Sequence, residues 1–229
     1  MESFQRSART YELPLNLPVE GFTPEREIFV RGVVERIGLP IERVSKITFK
    51  PNTSKTEYVL GSAHQTTGEV TFYKRMEGIP KIAQVGTAVH ELIHVNSFFI
   101  SENEDIYGGS ENMNRAFENA AMVANQTISS RKFLNAYHKA LYHEYMTNPD
   151  GIAAKQKFVE ETNAIMMELR FVNNKHLQEV LNEQDKNTSD DILNQIDETL
   201  LDLMPNINRS KADLDNHISK LKASYKTTV

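Results

Sequence analysis

Helix and strand signals alternate through the first part of the chain, and only helical spacing follows. Pro24 to Ile37 carries apolar residues at helical intervals and is closed by Gly38 and Pro40, while Ser45 to Phe49 reads as a strand. Tyr58 to Ala63 and Glu69 to Tyr73 are β-prone runs on either side of Gln65-Thr66-Thr67-Gly68, whose residues favour a turn, so a hairpin is expected there. The next element is the most apolar. Residues 83–99 contain Val85, Val89, Leu92, Val95, Phe98 and Phe99, no proline, and Glu91 as their only charge. That pattern predicts a largely buried helix, with Pro80 suited to its first turn, where a missing N–H costs nothing.

Ser101 to Gly109 is polar and glycine-punctuated, so it reads as a loop. Beyond it the spacing predicts helices over Glu111 to Ile128, Lys132 to Met146, Ile152 to Leu181, Ser189 to Met204 and Ser210 to Ser224, interrupted at Pro149, at Asp185-Lys186-Asn187-Thr188 and at Pro205. Sparse apolar stripes in the last two, Ile192, Ile196 and Leu200, then Leu214, Ile218 and Leu221, fit a peripheral helical hairpin packed on the body, or one that binds a partner.

Composition narrows the function classes. A chain of 229 residues with 39% hydrophobic content can bury one sizeable core. The net charge of −5 and the absence of a Lys/Arg-dense run give no electrostatic footprint for nucleic acid or an anionic membrane. No apolar stretch reaches the roughly 20 residues that span a bilayer. The polar start MESFQRSARTYELPLN lacks the apolar core of a signal peptide, so the expected compartment is the cytoplasm. With no cysteine, disulfides and thiolate metal sites are excluded.

Against that background one motif specifies chemistry. His90-Glu91-Leu92-Ile93-His94 places two imidazoles four residues apart, on one face of the apolar helix, where they can share a metal ion. Neutral histidine nitrogens bind Zn²⁺ at roughly 2.0–2.1 Å, and a catalytic site keeps one position open for water. Glu91, angled toward that position, can take the water's proton as general base and return it to a leaving amine as general acid. Gly86 lies one turn before His90 on the same face, where a missing side chain leaves room. The expected cofactor is Zn²⁺ and the expected partner a peptide or protein substrate.

A catalytic zinc needs a third ligand, and without cysteine it must be His, Asp or Glu. Peptide deformylases, which share the motif but use a cysteine there, are therefore set aside. Metzincins extend the motif to H-E-x-x-H-x-x-G-x-x-H, which the Val95-Asn96-Ser97-Phe98-Phe99-Ile100-Ser101 run does not follow. Over roughly residues 58–125 the chain resembles gluzincin zinc metallopeptidases, in which a glutamate from a following helix completes the site. Their glutamate motif commonly reads Asn-Glu-Gly before apolar and small residues; Glu118 has Phe117 and Asn119 as neighbours, followed by Ala120 and Ala121. The resemblance implies His90, His94 and Glu118 as metal ligands and Glu91 as the catalytic residue. Glu161 comes second, on a helix with Ala164, Ile165, Met167 and Leu169 nearby, and then Glu111, His138 and His143. Tyr137, His138, Tyr142 and His143 are candidates for stabilising an oxyanion.

The expected fold is α+β: a small N-terminal sheet with a zincin-like metal-binding helix, then an all-helical C-terminal region. The expected division is a metallopeptidase domain over 1–184, with an N-terminal lobe to about residue 100 and a helical lobe over about 110–184, followed by a helical extension over 185–229. The expected function is zinc-dependent peptide-bond hydrolysis by a bound water. The alternative is a catalytically inactive zincin-like or helical protein-binding module. In zinc peptidases the strand at the sheet's rim pairs with an extended substrate, a role open to either strand of the hairpin.

Overall fold

The structure, a computed structural model, describes residues 19–39, 43–102, 152–181, 186–204 and 210–226, with positions 143, 147 and 207. It is a mixed α+β fold in which helices dominate. In chain order the described elements are β1 (Val19–Glu20), α1 (Pro24–Ile37), β2 (Lys46–Lys50), β3 (Gly61–His64), β4 (Glu69–Tyr73), a 3-10 turn (Lys74–Gly78) and α2 (Lys81–Glu102). After these come α3 (Ile152–Val172), α4 (Asn174–Leu181), α5 (Lys186–Leu203) and α6 (Lys211–Lys226). The expected helices over 111–128 and 132–146 fall outside the described residues, apart from His143, which is helical and exposed.

The strands form one sheet in the order β1-β2-β4-β3, with β2 parallel to both of its neighbours and β3 antiparallel to β4. Alternation along β4 sends Val70 and Phe72 into the core and leaves Glu69 exposed. These side chains and Ile47 join Val30, Val33, Val34 and Ile37 of α1 and Val85, Val89, Leu92 and Ile93 of α2 in one cluster. Burying a side chain of that size contributes about 1.5–3 kcal/mol. The hairpin forms as its turn residues predict, but its first strand starts at Gly61 and not at Tyr58. A side chain explains the shift: Asn52 Nδ2 donates to the carbonyls of Thr56 (2.5 Å) and Val59 (3.0 Å), holding the preceding residues in a turn.

Pro80 stands just before α2, and its carbonyl accepts from the N–H groups of Ala83 (2.9 Å) and Gln84 (3.0 Å), so the ring starts the helix without removing a needed donor. The helix continues through Ser101 and Glu102, past the expected start of the loop. The single helix expected over 152–181 is two helices. Asn173 interrupts it, and its side-chain oxygen accepts from the His176 N–H at 3.3 Å, restarting the chain as α4. Ser210 caps α6 in the same manner, with Asp213 N–H donating to its hydroxyl at 3.2 Å.

The stripes Ile192, Ile196 and Leu200, and Leu214, Ile218 and Leu221, are buried in the same cluster as the sheet and α2. Two further contacts tie the last helix to the first. His217 Nε2 donates to the last-turn carbonyl of Ile37 at 2.9 Å, and Tyr225 meets Phe29 edge-on at 5.7 Å. Beneath them the buried Arg170 of α3 donates to Asp197 of α5 (2.6 Å) and Asp215 of α6 (2.5 Å). Among the described residues no helix is long and apolar enough to cross a membrane.

Candidate metal centre

α2 is buried along the face that holds Val85, Val89, Leu92 and Val95, which fixes its rotation and turns His90 and His94 toward α3. The two helices run antiparallel. Advancing along α2 from Gly86 through His90 to His94, the facing residue on α3 retreats from Glu168 to Glu161. Three ligand atoms converge where they cross: His90 Nε2 and His94 Nε2 are 3.0 Å apart, and Glu161 Oε2 is 3.4 Å from each. A metal bonded at about 2.0–2.1 Å to tetrahedral ligands requires them to lie about 3.3–3.4 Å apart. Two edges of the triangle match that spacing and the third is shorter, so the three atoms lie close enough to share one metal ion.

The electrostatics favour positive charge at this point. Burial disfavours a proton on His90, but the carboxylates of Glu161 and Glu168 outweigh it and raise its pKa from 6.5 to about 10. Burial works in the opposite sense on Glu161, where the two imidazoles prevail and hold the carboxyl well below the usual range. Glu91 lies beside them, 6% exposed. Its pKa is raised by burial, against the pull of both histidines. A divalent cation would satisfy this anionic surplus.

Glu91 also touches the sheet. A Cβ placed on Gly61 would stand 2.7 Å from Glu91 Oε1, so only glycine lets β3 approach the carboxylate this closely. Among the described residues β3 is the last strand of the sheet, and its outer edge borders a cleft of about 1080 Å³. Tyr58, Ser62 and His64 line one wall, Lys157, Glu160 and Ile165 the other, and His90, Glu91, His94 and Glu161 lie between them. Gln65, in the hairpin turn, donates to Glu160 at 3.3 Å and so links the two walls beside the ligand triangle.

Of the residues expected from sequence, His90, Glu91 and His94 are brought together, and the carboxylate that joins them is Glu161, the second-ranked candidate. Glu118, the first choice, lies outside the described residues, as do Glu111, Tyr137, His138 and Tyr142. His143 is exposed and is not part of the cluster. Sequence reasoning missed Glu168, although it lies two helical turns beyond Glu161 on the same face of α3, a spacing that was readable. The chain matches no protein-family model, no curated protein and no solved structure.

Proposed function

We propose that the protein is a zinc-dependent peptidase whose metal is held by His90, His94 and Glu161 and whose catalytic residue is Glu91. The observation that carries this reading is the ligand triangle, with edges of 3.0, 3.4 and 3.4 Å, beside a buried carboxylate at the edge of a cleft. Two imidazoles and one carboxylate suit Zn²⁺, and three protein ligands leave a position open, as catalytic zinc sites do. Zinc bound there supplies a Lewis acid that polarises a carbonyl and makes water a nucleophile near neutral pH.

The chain's own residues supply the rest. Glu91 takes the proton of the attacking water and delivers it to the departing amine, and its burial raises its proton affinity toward what such a base needs. The outer edge of β3 receives the substrate backbone. Tyr73 N–H bonds to the Leu60 carbonyl, so alternation turns the N–H and C=O of Gly61 and Ala63 away from β4, toward an incoming extended peptide. Because β3 meets the Glu91 carboxylate at Gly61, a peptide paired along this edge would pass close to the proposed base.

The test is hydrolysis of a fluorogenic peptide library by the full chain, stripped of metal and reloaded with zinc. Activity should require zinc and fall by about 10²–10⁴ in Glu91→Gln while bound zinc is unchanged. Zinc-loaded protein that cleaves nothing, or a Glu91→Gln variant as active as the parent, would remove the enzyme reading.

A further inference from the structure

Gly86 is buried in the second turn of α2, inside the helix where glycine is a poor helix former, and its backbone does not need glycine's left-handed freedom. Space explains it. A Cβ at this position would stand 2.8 Å from Glu168 Oε1 and 3.4 Å from both Cδ and Cγ of that side chain, so the Glu168 carboxylate is seated in the gap that the missing side chain leaves. The other carboxylate oxygen, Oε2, lies 3.2 Å from His90 Nδ1. That nitrogen is buried and has no well-aligned hydrogen-bond partner among the described residues. It is also the nitrogen facing away from the ligand triangle, which His90 enters through Nε2.

Building on the metal reading above, we propose that Glu168, seated over Gly86, is the positioning residue that orients His90 for metal binding. It accepts the Nδ1 proton of His90, which leaves Nε2 unprotonated and aimed at the ion. Such contacts behind a ligand fix its tautomer and raise its basicity, and losing one typically weakens metal binding about 10–100-fold. Gly86 acts one step further back, since any larger residue displaces the carboxylate.

The experiment measures Zn²⁺ affinity of the full chain by competition with a chromophoric chelator, alongside the Tm of the metal-free form, for Glu168→Ala, Glu168→Gln, Gly86→Ala and the Gly86→Ala/Glu168→Ala double variant. Zinc affinity should fall about 10–100-fold in Glu168→Ala and Gly86→Ala, and less in Glu168→Gln, whose amide oxygen still accepts. Metal-free Tm shows that each variant is folded at the assay temperature, and the smaller loss in Glu168→Gln, which keeps an acceptor without the charge, is the readout that a merely structural role would not give. The double variant should bind zinc no more weakly than Glu168→Ala alone, because Gly86 acts only through the carboxylate. If both single variants bind zinc as tightly as the parent, or if their losses multiply in the double variant, the proposal is wrong and the metal centre stands. A parent chain that binds no zinc removes both.

Discussion

Glu161 is the residue on which the proposed site turns, because two histidines four positions apart are a motif and a third donor would make them a coordination shell. Its replacement by alanine should cost more zinc affinity than the roughly 10–100-fold expected of a residue behind the ligands, measured by the same chelator competition. The histidines also set a pH dependence. In the metal-free protein His90 titrates at about 10 and not at 6.5, so its proton stabilises the fold fully below 6.5, and that contribution disappears as pH rises through 10. The Glu161 carboxyl is shifted the other way, so its contribution is complete above its ordinary 4.5 and is lost as pH falls below that. Zinc must displace the His90 proton. Below pH about 10 zinc binding should therefore release the His90 proton, and apparent affinity should rise with pH, a proton release that titration in buffers of different ionisation enthalpy would reveal.

At the scale of elements, the proposed site is three pieces held in register: α2 carries the two histidines and the proposed base, α3 carries Glu161, and β3 offers an edge that is unpaired among the described residues. Ala63→Pro removes an N–H from that free edge without taking one from β4, so it should leave zinc binding intact. Peptide turnover should fall roughly 3- to 10-fold, the worth of one hydrogen bond. Unchanged kcat/KM for Ala63→Pro would show that substrate does not pair with β3. The position of α3 depends in turn on Arg170, 3% exposed between Asp197 and Asp215. Arg170→Ala strands Asp197, also 3% exposed, leaving it only Lys211 at 3.2 Å among the described residues, and should destabilise the fold by about 3–5 kcal/mol in urea unfolding. Asp215, whose side chain is half exposed, should cost less when replaced.

Across the whole molecule, what was legible in sequence was what neighbouring residues decide. The period of Val85, Val89 and Leu92 gave α2 and the direction of its histidines, and Gln65 to Gly68 gave the hairpin turn. Side-chain competition for the backbone was harder to read, so Asn52 shortened β3 and Asn173 divided one expected helix into two. In the sequence, the alanines around Glu118 and its closeness along the chain to His94 favour it as third ligand over Glu161. Which helix lies against α2 is a matter of tertiary packing, and local periodicity does not encode it. The same holds for Gly86 and Glu168, each unremarkable alone and meaningful only as a pair across a helix interface.

Zinc bound to these residues would couple the parts, and it should stabilise the folded chain by about 4 kcal/mol when free zinc is a thousandfold above Kd. The most direct measurement is zinc content after reconstitution and gel filtration, compared for the parent, Glu161→Ala and Glu118→Ala. The geometry predicts stoichiometric zinc in the parent and in Glu118→Ala, and its loss in Glu161→Ala. Zinc absent from the parent, or retained in full by Glu161→Ala, would contradict it.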